Sequence, residues 1–374
     1  MNKTKLSNPV RSIAFFLTAI ILACTFGFTV DGWQMANDGI DNNTNPPEDE
    51  NSASGDITDN PDTDEQEQMP EEPEIYIPEY TSRLTGLEIS EETKNAVMLA
   101  FVMSSGLPTY GIYAAEMICE IPTENGGSRI VAFIPENENL WKIGSITQTR
   151  GYISNIAKYF GASIVSYGND DSMDYNKCDL SNNIVDFSLL NGYHFSEQAG
   201  NIYTNRDLLM SAVADANIGN NAINKSPLPF THIDYLEEKI VYSGTATSIR
   251  IPDGCLADEL RFDSESENYL LYKNGVAVVD MSNEDAASFT NCFVLFADSV
   301  IYDNSNGNTM VMDTIGDGRG LYFTNGSYTE IRWTATAGGI MTFYTTDGLK
   351  LTVNRGRNYI TFVRSSKAEN IIIQ

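Results

Sequence analysis

The sequence predicts an α+β protein: an N-terminal mixed α/β domain followed by a mostly antiparallel β domain. Three observations carry this. From residue 96 to 216, short apolar runs alternate with two stretches of helical period. Beyond about residue 235 only short β-type runs remain. Asn-Gly and Asp-Gly pairs separate several of them, and such pairs are strong hairpin signals.

The 374 residues are 42% hydrophobic and 10% aromatic, which suits two domains with apolar cores. The net charge of −28 is uneven. Residues 31–80 hold sixteen Asp and Glu and no Lys or Arg, and residues 1–30 hold three basic residues and no acid. The remaining 294 residues therefore carry −28 + 16 − 3 = −15. An acidic chain without a basic stripe is not built for phosphate backbones, so nucleic acid is excluded as a partner.

Along the chain, Lys3, Lys5 and Arg11 precede Ile13–Val30, eighteen residues without a charge. A basic start and an apolar core mark residues 1–30 as a signal peptide or an N-terminal membrane anchor. As a helix that run rises about 27 Å, close to a bilayer core of roughly 30 Å. Ile21-Leu22-Ala23-Cys24 resembles a lipoprotein cleavage box, which makes Cys24 a candidate lipidation site. Residues 31–80 are rich in Asn, Asp, Glu, Pro, Ser and Thr, and predict a disordered acidic linker. The expected location is extracytoplasmic, tethered to the cell membrane or secreted.

The N-terminal domain is expected over residues 81–235. Ala96–Met103 reads as a strand buried on both faces. Thr109–Glu116 reads as a short helix. Met117–Pro122 and Ser128–Ile134 read as strands joined by the Glu124-Asn125-Gly126-Gly127 turn. Thr149–Phe160 is amphipathic, with Ile153, Ile156, Ala157 and Phe160 on one face and Gly161 as its stop. Ser163–Ser166 is a further strand. Asn205 caps a second helix through Leu208, Leu209, Ala212, Val213 and Ala216. The β-rich domain is expected over 236–374, with strands around Ser248, Glu259, Tyr269, Cys292, Val300, Leu321, Tyr328, Met341 and Tyr359.

Chemistry-bearing residues are sparse. The two histidines, His194 and His232, and the five cysteines show no ligand spacing, so no metal site and no cofactor is expected. Cys119 and Cys292 lie in apolar runs and read as buried thiols; a Cys178–Cys255 disulfide is permitted by an oxidising location. No G-x-S-x-G elbow is present. Charge gathers in one place: Glu120, Glu124, Arg129 and Arg150 surround a glycine turn and a helix start. Two carboxylates could do acid–base work, and an arginine at a helix N-terminus suits an anion. The competing reading pairs Glu120 with Arg129 or Arg150 as a partly buried ion pair that holds the strands in register.

Leu84-Thr85-Gly86-Leu87, Ala115 to Glu120, Glu124 to Arg129, Ile143-Gly144 with Arg150, and Asn201 to Thr204 follow one another in an order that resembles the YerB-like bacterial lipoproteins, domain-of-unknown-function family 3048. Tyr269-Leu270, Asn274-Gly275, Gly318 to Gly326, Trp333 and Phe343-Tyr344 continue the resemblance to about residue 364. The resemblance implies an extracytoplasmic tethered protein with an α/β and a β domain, and no reaction. The resemblance is that of a divergent member. Ala100-Phe101, Thr147, Ser166 and, at about the matching positions, Leu271 and Val278 stand where the family pattern has polar or charged residues.

Two function classes follow. The first and favoured is a cell-envelope binding or interaction module, with an envelope ligand or protein as partner. The second is an enzyme acting on a phosphorylated or glycosidic envelope substrate through Glu120, Glu124, Arg129 and Arg150. A shared cavity for those four side chains would favour the enzyme.

Overall fold

The computed structural model describes residues 76–106, 109–169, 184–197, 200–218, 227–252, 254–304, 307–336 and 339–374. The expectations for the signal or anchor, for Cys24, for most of the acidic linker and for Cys178 concern residues outside these. Residues 76–80, the end of the expected linker, join the fold: Tyr76 donates to Glu88 Oε1 at 2.5 Å and Ile89 N donates to Tyr80 O at 3.0 Å.

Strand is the dominant element. In the N-terminal half the order is α1 (Glu91–Asn95), β1 (Met98–Ser104), β2 (Met117–Pro122), β3 (Ser128–Pro135), β4 (Ile143–Ile146), α2 (Gly151–Tyr159), β5 (Ser163–Ser166), β6 (Ile184–Asp186), β7 (Phe195–Ser196), β8 (Ile202–Thr204) and α3 (Arg206–Asp215). The expected helix over Thr109–Glu116 is a single 3-10 turn, Ile112–Ala114. Ala115 is already extended (φ −68°, ψ 126°), so the chain goes directly into β2. The β2–β3 turn forms as the Asn-Gly pair requires, with Asn125 at φ 59° and Gly126 at φ 73°. Asn205 caps α3 by accepting from Leu208 N at 3.0 Å.

The strands of both halves share one large sheet. Its order begins with Gly244–Thr245, Ser327–Thr336, Gly316–Thr324, Asn291–Ala297 and Asn358–Arg364, and continues through β2, β3, β1, β4, β8 and β7. The junction is a parallel ladder in which Met117 faces Asn358 and Glu120 faces Thr361. β5 lies parallel beside β1 and β6 parallel beside β5, the α/β part of the fold. In the C-terminal half most pairings are antiparallel, but Asn291–Ala297 runs parallel to Asn358–Arg364. The sheet runs through the position near residue 235 where the sequence changes character. The described residues fall within one compact unit, Glu72–Gln374.

Each face of the sheet buries its own core. Leu99, Phe101, Ile118, Ile130 and Ala132 pack with Ile249, Leu260, Tyr269 and Leu271 of a second sheet. Ala100, Val102, Cys119, Ile121, Val131 and Phe133 pack with Tyr152, Ile153 and Ile156 of α2. Side chains alternate across a strand, so consecutive residues of β1, β2 and β3 enter different cores. That is why these strands read as continuous apolar runs. Among the described residues, no helix is long and apolar enough to cross a membrane.

Candidate functional site

The alternation within β2 decides the fate of the charged stretch. Glu120 points with Ile118 into the core shared with the second sheet, and it is fully buried. Its Oε1 accepts from Ser128 Oγ at 2.7 Å, Cys255 N at 2.6 Å and Leu256 N at 2.6 Å. Its Oε2 accepts from Tyr359 OH at 2.6 Å. Burial and the Glu120 charge push the Tyr359 hydroxyl well above its ordinary pKa. The ion pair of Glu120 with Arg129 or Arg150 expected from the sequence therefore does not form. Neutral donors from the Ser128 start of β3, the Cys255–Leu256 loop and the Asn358–Arg364 strand surround this carboxylate instead.

Glu124, four residues on, lies beyond the strand end in the turn and meets Arg150. Arg150 Nη1 donates to Glu124 Oε2 at 2.7 Å, and Nη2 donates to Oε1 at 2.6 Å. Arg150 is 4% exposed and the Glu124 side chain 25%. Burial pushes the Glu124 carboxyl up, but the hydrogen bond from Arg150, the Glu124 backbone N–H, the Arg150 charge and the Met310 N–H together outweigh it and hold it down to about 2. The pair also grips the chain at Met310: Met310 N donates to Glu124 Oε2 at 3.2 Å, and Arg150 Nη1 donates to Met310 O at 3.2 Å. The guanidinium and carboxylate thus hold both polar groups of one peptide residue on the Gly307–Met312 strand. Tyr159 OH, at the far end of α2, donates to Thr314 O at 3.0 Å just beyond it.

Arg129 is partly buried on β3, opposite Ile121 and Ser104, on the face of Val131 and Phe133. That is the α2 face, away from Glu120. The four predicted residues therefore do not converge on one cavity. The histidines are also engaged: His232 Nε2 lies 3.0 Å from Leu84 O, and His194 packs against the Tyr167 and Phe187 rings. Cys119 and Cys292 are buried thiols, and Cys255 Sγ donates to Gly126 O at 2.8 Å. Among the described residues, no three His, Cys, Asp or Glu side chains come together as metal ligands.

A cavity of about 300 Å³ lies elsewhere, between the chain at Thr81–Met98 and the start of β2. Leu84, Ile89, Met98, Pro135 and Phe160 form apolar walls. Ser82, Arg83, Lys94 and Glu116 bring polar groups to it. Ser82 is the pivot of this region. Its Oγ accepts from Leu84 N and Thr85 N, both at 3.1 Å, and donates to Glu116 Oε2 at 2.6 Å. Ser90 caps α1 by accepting from Thr93 N at 3.1 Å, which sets Lys94 in the last turn. Lys94 Nζ then lies 4.2 Å from the Tyr80 ring centre.

Burial pushes the Glu116 carboxyl up to about 7; the Ser82 hydrogen bond and the Arg83 charge oppose this, and the Glu138 charge adds to it. Burial also lowers Arg83, with the Glu116 charge opposing. An apolar cavity with convergent polar groups and perturbed titrations is the usual form of a small-molecule site. Reasoning from charge density missed Ser82, Arg83, Lys94 and Glu116. For Glu116 a signal was present, because it lies within Ala115–Glu120, a motif that carries the family resemblance; Ser82 and Arg83 only border the Leu84–Leu87 motif, and Lys94 lies outside both.

Comparison with known proteins places this geometry. Residues 84–218 match the model of the DUF3048 N-terminal domain and residues 252–360 that of the DUF3048 C-terminal domain, both described as protein of unknown function. The crystal structure of the YerB protein from Bacillus subtilis is similar over 79% of this chain and 99% of that one, with a TM-score of 0.65 at 18% identity. At that identity the likeness is one of fold. No curated protein matches the chain.

Proposed function

The chain belongs to the YerB-like DUF3048 family, of unknown function, and from that premise we propose that it is an extracytoplasmic, membrane-tethered binding module of the cell envelope. Tethering is supported by Lys3, Lys5 and Arg11 ahead of the uncharged Ile13–Val30 run. The acidic residues after it are read as a spacer.

The observation that carries the binding reading is the cavity beside Glu116, with apolar walls and a polar end. The charged stretch points the same way. Glu120 is enclosed, and Glu124 with Arg150 is committed to Met310. The alternative, an enzyme using Glu120, Glu124, Arg129 and Arg150 on a phosphorylated or glycosidic substrate, needs those groups around one substrate, but Glu120 faces the other side of the sheet from Arg129, and Glu124 and Arg150 are engaged with each other and with Met310. Envelope ligand, rather than envelope substrate, is the reading these contacts favour.

Two measurements test it. Mass spectrometry of membrane-fraction protein should find either a diacylated Cys24 or an intact N-terminus; a wholly cytosolic protein would overturn the tethering. Native mass spectrometry of protein taken from membranes should show a small bound mass that Ala96→Trp removes by filling the cavity. Equal masses for the two proteins would overturn the binding reading.

A further inference from the structure

We infer that the cavity takes a small carboxylate with an apolar body, and that the ligand's carboxylate is held at the Glu116 end, beside Lys94 and Arg83. The inference rests on the reading of this cavity as the binding site and names the chemistry it selects.

Size comes first. About 300 Å³ is at the low end of small-molecule sites. It admits a short aliphatic or aromatic body and no polymer. Leu84, Ile89, Met98 and Phe160 offer that body an apolar surface, which disfavours a sugar.

Charge comes second. Two cationic side chains, Arg83 and Lys94, line the cavity against one carboxyl. Burial lowers the Arg83 pKa and the Glu116 charge opposes this, and a ligand anion would act on Arg83 in the same sense as Glu116. An amine would add a third cation to the same space.

The carboxyl itself comes third. Glu116 Oε2 takes the hydrogen of Ser82 Oγ, while Oε1 takes no hydrogen bond among the described residues. In its protonated form Glu116 has one O–H to offer, and a ligand carboxylate is the acceptor that suits it. Two carboxylates so placed share one proton, because both cannot remain charged side by side. That proton comes from solvent. Binding therefore takes up a proton wherever free Glu116 is ionised, which begins near its own value of about 7. The charged groups acting on it are Glu138 from the loop after β3 and Arg83; Lys94 of α1 also lines the cavity, with its ammonium over the Tyr80 ring. Ser82 is the neutral partner of Glu116.

The test is calorimetric titration of the full chain with octanoate, octylamine and octanol at pH 6 to 9, in two buffers of different ionisation enthalpy. Octanoate should bind, take up a proton above pH 7, and weaken about tenfold per pH unit until the complex itself ionises. Glu116→Gln should bind octanoate with no proton uptake and a flat pH profile, and Ala96→Trp should bind none of the three. Octanoate binding without proton uptake in the wild type, or octylamine binding in its place, would overturn the inference and leave the binding reading standing. No cavity-dependent response to any of the three would overturn both. The buffer comparison uses the wild-type chain alone, so it decides even where a variant fails to fold.

Discussion

Arg150 closes two guanidinium nitrogens onto the two carboxylate oxygens of Glu124, at 2.7 and 2.6 Å, and the same pair holds the N–H and C=O of Met310. Met310 is 186 residues from Glu124 and 160 from Arg150. The two-pronged geometry is one that arginine forms readily and lysine cannot. It makes the most charged stretch of the folded chain a clamp between its two halves.

Removing the clamp therefore costs stability. Arg150→Ala leaves Glu124 desolvated and Met310 O without its donor. The expected loss is about 2–4 kcal/mol, below the full range for buried pairs because Glu124 keeps some solvent. Chemical denaturation reads it, and Arg150→Lys should recover less than half. A variant as stable as the wild type would show that the pair contributes nothing.

Glu120 is held by four donors, two of them backbone N–H groups. Glu120→Ala leaves Cys255 N and Leu256 N unsatisfied in a closed core, at about 3–5 kcal/mol. Hydrogen exchange at those two amides should quicken far more than in the hairpins around Asn274 and Asn325. Glu120→Gln keeps one oxygen for the Oε1 donors, and Tyr359 OH can accept from the amide, so its cost should be much smaller. Equal effects of Ala and Gln would contradict this assignment.

Two carboxylates should give opposite pH dependences. Glu116 is raised to about 7, so the folded state holds a proton that the unfolded state releases between its ordinary value and 7. Its contribution is full at acid pH and is lost as pH rises through 7. Glu124 is lowered to about 2, so its contribution is full at neutral pH and is lost as pH falls toward 2. In melting temperature against pH, Glu116→Gln should remove the decline on the neutral side, and Glu124→Gln the decline on the acid side. If Glu116→Gln leaves the neutral-side slope intact, another group causes it.

Gly318 lies directly opposite Trp333, and a Cβ at Gly318 would stand 2.5 Å from the indole. The ring covers the glycine, and its Nε1 donates to Phe296 O at 3.2 Å. Gly318→Ala should cost about 1–3 kcal/mol through displacement of that ring. Loss of near-ultraviolet dichroism from Trp333 would accompany it; an unchanged signal would show that the ring shifts freely.

The local architecture was legible because local rules govern it. Asn125, Asn274 and Asn325 adopt the positive φ their turns require, and Asn205 caps its helix. Ala96–Met103 shows its double burial as an unbroken apolar run. The shared sheet was not legible. It depends on Met117 finding Asn358 across the length of the chain, and parallel pairing at that distance leaves no periodic trace. The charged stretch misled for a related reason. Glu120 and Glu124 are neighbours in sequence, but one is a strand residue facing the second sheet and the other a turn residue reaching Arg150, which immediately precedes α2. Ser82 and Glu116 meet across 34 residues, and only the fold brings them together.

The central claim separates a structural clamp from a ligand cavity, and a thermal-shift comparison of three proteins tests it. Wild type, Arg150→Ala and Ala96→Trp are melted with and without octanoate at pH 6.5. The account predicts that Arg150→Ala melts lower but keeps the ligand-induced rise. It predicts that Ala96→Trp melts near the wild type and loses the rise. The reverse pattern, a lost rise in Arg150→Ala and a full one in Ala96→Trp, would place the ligand at the charged pair and contradict the account.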